Sequence, residues 1–327
     1  MLGVANSVSG RMWRAANGDD RLALALSQRL GLPEVLGRVM AARGVSLDEA
    51  EAFLQPSLRH ALPDPSILVD MDTAAERLAA AVVDGEPIAI FGDYDVDGAT
   101  SAAVLVRFLR AVGRDARIYV PDRQTEGYGP NAAALARLHA EGARVVVTVD
   151  CGILAFDALS AASGLGLDVV VVDHHQAEPR LPAARAVVNP NRLDDDSALG
   201  GLAAVGLAFL CVIAINRRLR ELGWYAERAE PDLMQWLDLV ALGTVCDVVP
   251  LKGLNRVLVA QGLKVAARRR NLGMATLADV AGVDGRLTAY HLGFLLGPRV
   301  NAGGRIGRSD LGARLLTTCD EQEARTI

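Results

Sequence analysis

From Pro87 onward, the chain alternates short apolar runs with segments of helical length that are rich in Ala and Leu. The apolar runs are PIAIFGD, ARIYVPD, RVVVTVD, DVVVVDHH and RAVVNP. Runs that are apolar at almost every position are typical of parallel strands that are buried on both faces. The pattern therefore predicts an α/β fold, in which helices cover both faces of a doubly wound, mainly parallel sheet.

The regions on either side of this pattern are predicted to be helical. The first 85 residues contain four short stretches of helical character, LALALSQRLG, PEVLGRVMAARG, SLDEAEAFL and DMDTAAERLAAAVVDG. After the strands come an apolar helix from Leu199, a second helix from about Pro231 to Leu242, and a Gly/Arg-rich stretch around GPRVNAGGRIGRSD. We divide the chain into an N-terminal helical region (1–85), an α/β domain (86–250) and a C-terminal helical, Gly/Arg-rich segment (251–327).

One apolar run resembles a membrane-spanning segment in composition. Leu199 to Ile215 is uncharged over 17 residues, but it is short for a bilayer and rich in Ala and Gly, which favours a buried helix. The four cysteines have no C-x-x-C spacing, and the first residues have no apolar core of signal-peptide length. These features predict a reduced, cytoplasmic protein without membrane contact.

Charge is distributed unevenly along the chain. The whole chain has a net charge of −5, whereas residues 252–318 hold eleven Lys and Arg against three Asp. This local excess predicts a face that binds anions. The alternative is a solvated helical surface, which we favour for the arginine run 268–270. Aromatic residues make up 4% of the chain, so that an extended platform for stacking nucleic-acid bases is not evident.

Acidic and histidine side chains follow three of the predicted strands, and one more acid follows an apolar helix. They are Asp93, Asp95, Asp97, Asp150, Asp173, His174, His175 and Asp247. Because the carboxyl ends of parallel strands meet at one edge of a sheet, we expect these side chains to lie together. Crowded carboxylates repel one another unless the loop is well solvated or a cation lies among them.

Carboxylates with one or two imidazoles are typical ligands of Mn²⁺ or Mg²⁺. They do not indicate a thiolate-based zinc site. Several neighbouring acids suit two ions that share a carboxylate, an arrangement used in phosphoester hydrolysis. The alternative is that each strand-end Asp merely caps the next helix, which is credible for one residue but not for the whole set.

Four segments in order, GDYDVDGATS, TVDCG, VVDHH and GTVCDVVPL, resemble the four motifs of the DHH phosphoesterase superfamily. LDEAEAFLQPSL, VPDRQTEGYGPN, VVNPNR and GPRVNAGGRIG resemble segments of one of its families, the bacterial RecJ exonucleases. The resemblance extends from about Leu22 to the last residue. It implies a metal-dependent 5′ to 3′ exonuclease that hydrolyses single-stranded DNA in repair and recombination.

The resemblance also implies a role for each candidate residue. Asp95 and Asp150 would ligate one Mn²⁺ or Mg²⁺ ion, and the second ion would be held by Asp97, Asp150, His174 and Asp247. As catalytic residues, His175 would face the scissile phosphate and Asp93 would support the first loop. The implied DNA contacts are Arg123, Tyr128, Asn131, Arg299, Asn301, Arg305 and Arg308. The implied partners are single-stranded DNA and, during repair, a single-stranded-DNA-binding protein and a helicase.

Two features depart from the family pattern. Many superfamily members carry a metal-binding His where this chain has Phe91, so we expect weak binding of the first ion. RecJ chains continue into a glycine-rich domain and an oligonucleotide-binding barrel, and we expect both to be missing after Ile327.

Two other functions remain open, a small-nucleotide or pyrophosphate phosphatase of the same superfamily and a replication scaffold without metals. The segment GPRVNAGGRIGR counts against the phosphatase, because a small substrate does not need it. The retained acids count against the scaffold.

Overall fold

The structure, a computed structural model, describes residues 4–14, 18–306 and 308–327. The chain divides into two compact units, which meet in sequence between Ser57 and Leu58. The described part of the first unit contains the helices α1 (Asp20–Leu30), α2 (Glu34–Ala42) and α3 (Ala50–Leu54). Their apolar faces form a small core around Leu26 and Met40.

A five-stranded parallel sheet forms the centre of the second unit, with the strand order β2-β1-β3-β4-β5. The strands are β1 (Ile88–Gly92), β2 (Ala116–Tyr119), β3 (Val145–Val149), β4 (Asp168–Val172) and β5 (Ala186–Val188). The central strands β1 and β3 pair along their whole length and are buried at every position. This burial explains why their sequences are apolar throughout.

The helices of the second unit lie before the first strand, between the strands and after the sheet. They are α4 (Leu58–Ala61), α5 (Met71–Asp84), α6 (Val96–Ala111), α7 (Ala132–Ala140), α8 (Phe156–Gly164), α9 (Ala204–Glu221), α10 (Leu237–Cys246), α11 (Gly253–Ala266), α12 (Leu272–Val280), α13 (Gly297–Ile306), α14 (Leu311–Thr317) and α15 (Glu321–Thr326). Two 3-10 turns, Pro65–Ile67 and Leu233–Trp236, and a π-helical turn, His291–Leu296, complete the described elements.

The two faces of the sheet bury different sets of side chains. On β1, Ile88 and Ile90 join a large core with α5, α6, α9 and α10, whereas Ala89 and Phe91 join a second core with α7 and α8. The prediction of a doubly wound parallel sheet is therefore confirmed. Since α6 leaves β1 toward one face and α8 leaves β3 toward the other, a crevice opens between the carboxyl ends of these two strands.

Several expectations about single segments are also settled. The apolar run from Leu199 leads into α9, which is buried along most of its length. Among the described residues, no helix combines the length and the apolar character that crossing a membrane requires. The helix expected from Pro231 to Leu242 begins as a 3-10 turn and continues to Cys246.

The division of the chain at about residues 85 and 250 stays a prediction. Helix α5, on the N-terminal side of the first of these boundaries, packs against α9 and β5 of the second unit.

Candidate metal centre and nucleic-acid interface

The acids and histidines predicted to form a site lie together at the crevice. Three overlapping groups each have ligand atoms within 4.8 Å of one another: Asp93, Asp95 and Asp150; Asp97, His174 and Asp247; and Asp150, His174 and His175. Asp150 and His174 each belong to two of the groups. The three groups therefore form one continuous cluster, which we call the metal centre.

His174 lies in the middle of the metal centre. Its Nε2 atom is 3.2 Å from Oδ1 of Asp150 and 4.0 Å from Oδ2 of Asp97. Its Nδ1 atom is 3.0 Å from the carbonyl oxygen of Leu202, which accepts a hydrogen bond from Nδ1–H. This hydrogen bond selects the tautomer in which Nε2 carries a lone pair, as in most metal-ligating histidines.

Asp150 has the most unusual backbone in the metal centre. It is buried and has a φ of 60°, in the left-handed region that few residues other than glycine adopt. Its backbone N–H donates to the carbonyl of Val172, and its carbonyl accepts a hydrogen bond of 3.0 Å from the hydroxyl of Tyr128. Such a conformation persists only where the surrounding structure holds it in place, and residues of this kind cluster at functional sites.

The chemistry of the cluster fits a pair of divalent cations. One carboxylate oxygen each of Asp93, Asp150 and Asp247 is buried without a hydrogen-bond partner among the described residues. An unpaired buried carboxylate oxygen is costly, and a cation among the three would remove that cost. Burial raises the pKa of the neighbouring thiols, to about 12 for Cys246 and well above the ordinary value for Cys151, so burial favours the thiol form of both in the absence of a cation.

Burial and mutual repulsion disfavour ionisation of the acids in the absence of a cation. Burial, followed by the charge of Asp95, raises the pKa of Asp93 to about 7. Burial also raises the pKa of Asp97 and Asp150 well above the ordinary value, and nearby carboxylates add to the effect. A bound cation would reverse this balance by favouring the charged forms.

Asp97 has a structural task in addition to its place in the metal centre. Its two carboxylate oxygens accept hydrogen bonds of 2.6 and 2.9 Å from the backbone N–H groups of Ala204 and Val205, at the start of α9. Helix α10 approaches it closely at Gly243, where an added Cβ would lie 3.0 Å from Oδ1 of Asp97. The carboxylate therefore joins α6, α9 and α10, a role that the sequence did not reveal.

The sequence interpretation gave Asp173 no role of its own, and the structure makes it the anchor of the loop after β4. Its carboxylate accepts hydrogen bonds from the backbone N–H groups of Ile153, His174 and His175, and Nδ1 of His175 lies 2.7 Å away. Burial alone would raise the pKa of Asp173, but these hydrogen bonds lower it below the ordinary value. The bond to Asp173 in turn raises the pKa of His175 and orients its ring.

Two asparagines of the VVNPNR segment complete this anchor. The side-chain amide of Asn189 donates to the carbonyl of His175 at 2.9 Å, and that of Asn191 donates to the carbonyl of His174. The position of these asparagines directly after an apolar strand was the available signal, because polar residues at strand ends point to the crevice.

The predicted DNA contacts divide into two sets. Arg123, Tyr128, Asn301 and Arg305 line a pocket of about 330 Å³ together with Asp93 and Asp95. The other three residues lie outside that pocket: Asn131 caps α7, Arg299 donates to the carbonyl of Leu295, and Arg308 pairs with Asp310. We call the first four residues the basic rim.

A side-chain network holds the loop that carries Arg123 and Tyr128. Glu126 accepts hydrogen bonds from the hydroxyl of Tyr119 and from the backbone N–H of Asp122. Arg137 donates to the same hydroxyl and lies over the Tyr119 ring, 4.8 Å from its centroid. The guanidinium of Arg123, in this loop, lies 4.9 Å from the centroid of the ring of Tyr94, which belongs to the loop after β1.

Phe91, at the position where many superfamily members carry a metal-binding His, is fully buried. Its ring lies 5.1 Å from that of Tyr119 in the core that the sheet shares with α7 and α8. The weak binding of the first ion that this position suggested stays a prediction.

Comparison with known proteins identifies the fold and the motifs. Residues 87–244 match the family model described as the DHH family, N-terminal domain. These residues therefore form a DHH-family domain. Among DHH-family proteins the chain is similar to the single-stranded-DNA-specific exonucleases RecJ of Dickeya dadantii, at 44% identity, and of Escherichia coli, at 42%. Each alignment covers 301 residues, 90% of this chain and 52% of the relative.

Solved structures of DHH-family exonucleases are similar to this chain as well. RecJ from Thermus thermophilus in complex with Mn²⁺ matches 95% of this chain and 43% of its own, with 31% identity and a TM-score of 0.78. A second RecJ crystal structure, bound to manganese, matches 81% of this chain and 64% of its own, with 36% identity and a TM-score of 0.71. The resemblance drawn from the motifs is confirmed, and this chain spans about half the length of the curated relatives it matches.

Proposed function

We propose that this chain is the catalytic portion of a RecJ-type exonuclease, which uses Mn²⁺ or Mg²⁺ to hydrolyse phosphodiester bonds of single-stranded DNA from the 5′ end. The observation that carries the proposal is the metal centre, in which Asp150 and His174 join three groups of ligand atoms at the crevice. The basic rim beside it supplies the positive charge that a DNA backbone requires. The relatives with manganese or magnesium in their crystals support the choice of metal.

Each residue of the metal centre has a role in this proposal. Asp95 and Asp150 would hold one ion, with Asp93 beside them in the same group, and Asp97, Asp150, His174 and Asp247 would hold the other. When bound, two such ions activate water and stabilise the attacking and leaving oxygens of a phosphoester. The chain itself contributes the fixed spacing of the acids, which Asp150 secures through its hydrogen bonds to Val172 and Tyr128.

His175 and the basic rim position the phosphate. The hydrogen bond from Nδ1 of His175 to Asp173 leaves Nε2 available to the scissile phosphate. Arg123 and Arg305 are the rim residues that contact the neighbouring phosphates, because Arg forms strong, directed bonds with phosphate oxygens. Arg299 and Arg308 contact phosphates further along the strand, and Asn131 acts through the loop that it closes.

The proposal extends to the surroundings in which the enzyme acts. DNA repair and recombination are the processes expected from the RecJ relatives, with a single-stranded-DNA-binding protein and a helicase as partners. The cysteine pattern supports a reduced, cytoplasmic location.

A digestion of end-labelled DNA tests the proposed function. The purified chain is given a single-stranded oligonucleotide labelled at the 5′ or the 3′ end, with increasing Mn²⁺ and then with excess chelator. We expect early release of the 5′ label as a mononucleotide, slow loss of the 3′ label and no cleavage in chelator. Asp196→Asn, which removes an exposed acid outside the metal centre, is the matched control for Asp150→Asn.

Two results would contradict the proposed function. Hydrolysis of pyrophosphate or of a dinucleotide without any release from the long oligonucleotide would favour the small-substrate phosphatase. Full activity in excess chelator would contradict the metal dependence.

A further inference from the structure

Two exposed aromatic rings lie next to each other on the π-helical turn His291–Leu296 and the residue before it. The rings of Tyr290 and Phe294 are stacked, with their centroids 5.1 Å apart and an angle of 26° between their planes. Tyr290 is 61% exposed and Phe294 is 69% exposed. In a chain with 4% aromatic residues, two adjacent exposed rings indicate a surface that meets a ligand. We call them the aromatic pair.

The π-helical turn links the aromatic pair to the metal centre. The carbonyl of Leu292 accepts a hydrogen bond from Sγ of Cys246, the residue before Asp247. An added Cβ on Gly293 would lie 3.2 Å from the side chain of Val245. The aromatic pair therefore lies on an element that packs against the end of α10, beside one of the metal-centre acids. Turns of this kind occur frequently at functional sites.

Helix α13 continues from the π-helical turn toward the other end of the metal centre. An added Cβ on Gly304 would lie 3.3 Å from the carbonyl oxygen of Tyr94, in the loop after β1. Asn301 and Arg305 of this helix line the pocket of the basic rim. At 1.5 Å of rise per residue, Arg305 lies roughly 12 Å along α13 from its first residue, and the aromatic pair lies on the other side of that residue.

The charge beside the aromatic pair favours nucleic acid over an apolar protein partner. The guanidinium of Arg299 donates to the carbonyl of Leu295, next to Phe294, at 2.7 Å, and its side chain is exposed. The surrounding segment, residues 252–318, has eleven Lys and Arg against three Asp. Aromatic rings beside arginines are the combination that single-stranded nucleic-acid sites use, with rings for the bases and cations for the backbone.

We propose that the aromatic pair is a stacking site for unpaired bases of the strand whose phosphate is cleaved at the metal centre, with Arg299 on an adjacent phosphate. The inference rests on the proposed function, and it specifies the substrate further. The site contacts bases through their faces, so it is indifferent to sequence, and it requires unpaired bases because paired bases are stacked within a duplex.

The experiment compares long and short substrates. Binding of a fluorescent 30-nucleotide strand and hydrolysis of a dinucleotide are measured for the wild-type chain, for the double variant Tyr290→Ala/Phe294→Ala and for Leu193→Ala, a control that removes an exposed apolar side chain elsewhere. We expect the double variant to bind the long strand about tenfold or more weakly, since stacking contributes that much per base. Dinucleotide hydrolysis and the Leu193→Ala variant should be unchanged.

Salt dependence and a conservative variant separate stacking from charge. The double variant should keep the wild-type slope of affinity against salt, whereas Arg299→Ala should lower that slope by roughly one unit. Tyr290→Phe/Phe294→Trp should retain the affinity of the wild type, because both replacements preserve the rings.

Three outcomes distinguish the possible failures. A wild-type chain that neither binds nor cleaves the long strand contradicts the proposed function itself. A wild-type chain that does both, with a double variant of equal affinity, overturns the stacking site alone. A double variant that binds DNA normally but sediments differently without DNA shows that the aromatic pair is a contact between proteins, which also overturns the inference.

Discussion

The metal centre and the basic rim are neighbours in the crevice, but they are built in different ways. The acids of the metal centre are mostly buried, Asp97 is fixed by backbone N–H groups from a distant part of the chain, and Asp173 beside them is fixed by those of Ile153, His174 and His175. The rim residues Arg123 and Arg305 come from a loop and from the last part of α13. The acids of the first region are therefore held from within the fold, whereas the arginines of the second are exposed to solvent.

This difference follows from what each region would have to do. Metal ligands must be held at defined distances, because a displaced ligand changes the geometry of both ions. Contacts to a DNA backbone would have to tolerate any sequence and release the product, which exposed arginines at the edge of the crevice can do. Changes in the metal centre should therefore affect the chemical step, and changes in the rim should affect binding.

The largest effect is expected from Asp150→Asn. Asparagine tolerates the left-handed backbone of Asp150 but removes the charge that the two ions would share. We expect hydrolysis to fall at least about 1,000-fold. Without metal, the free energy of unfolding of the variant should exceed that of the wild type by about 1 kcal/mol. The reason is that the variant no longer buries an ionisable carboxyl group beside other carboxyl groups. Urea unfolding with chelator and with Mn²⁺ measures this, and the variant should lose the stabilisation that Mn²⁺ gives the wild type.

Asp196→Asn, on the surface, is the control for this comparison. Equal stabilisation of wild type and Asp150→Asn by Mn²⁺ would show that Asp150 does not hold the ions.

A smaller effect on turnover is expected from Asp173→Asn. The change weakens the hydrogen bond that orients His175 and removes none of the proposed ion ligands Asp95, Asp97, Asp150, His174 and Asp247. We expect kcat to fall about 10- to 100-fold, the usual cost of removing an orienting partner, with little change in the Mn²⁺ concentration required. A large increase in that concentration would instead place Asp173 among the residues that hold the ions.

For Arg305→Ala, we expect a change in binding without a change in chemistry. Loss of one phosphate contact should lower affinity for single-stranded DNA several-fold and reduce its salt dependence by roughly one unit of slope. Turnover at saturating DNA should stay close to that of the wild type. Arg218→Ala, which removes a half-buried arginine of α9 that pairs with Glu221, is the control. A changed sequence preference with an unchanged salt slope would argue for contact with bases.

A weaker effect on binding is expected from Glu126→Gln, outside both regions. The change weakens the network that holds the loop with Arg123 and Tyr128, and we expect KM to rise about two- to fivefold with kcat unchanged. Tyr119→Phe should act through the same network. The free-energy change of the double variant, calculated from KM, should therefore be smaller than the sum of the two single changes. Additive effects would show that the two side chains act separately.

No effect on activity is expected from Asp238→Asn, a buried acid outside the metal centre. Burial raises the pKa of Asp238 to about 6, so the folded state holds its proton more tightly than the unfolded chain does. The wild type therefore loses stability as the pH rises from about 4 to about 6, and the loss is complete above that range. Since Asn mimics the protonated acid, the variant should be more stable at pH 8, by at most about 3 kcal/mol.

The same two proteins should be equally stable near pH 4, which urea unfolding at both pH values measures. A variant that is less stable than the wild type at pH 8 would mean that the charge of Asp238 is needed by its neighbour Arg107.

Much of the metal centre could be predicted from sequence because its residues follow regular strands. The runs PIAIFGD, RVVVTVD and DVVVVDHH end in acids, and parallel strands place such ends together. Asp247 follows a helix instead, so its place in the cluster came from the ordered motifs rather than from the alternation of strands and helices.

Other features depend on contacts between residues far apart in sequence. Asp97 accepts hydrogen bonds from residues more than 100 positions away, at the start of α9, and no local pattern signals that. The aromatic pair was missed for a different reason. A low aromatic content argues against an extended platform, but two rings four residues apart on one helical turn are enough for a small one.

The hydrogen bonds between Asp97 and the start of α9 bear on the order of events during the life of the protein. Because backbone N–H groups already satisfy this buried carboxylate, its place between three helices is secured without a metal ion. The packing of α6 against α9 and α10 is therefore expected to form while metal is scarce. Under the proposed function, the supply of manganese or magnesium would then decide how many of the folded molecules are active.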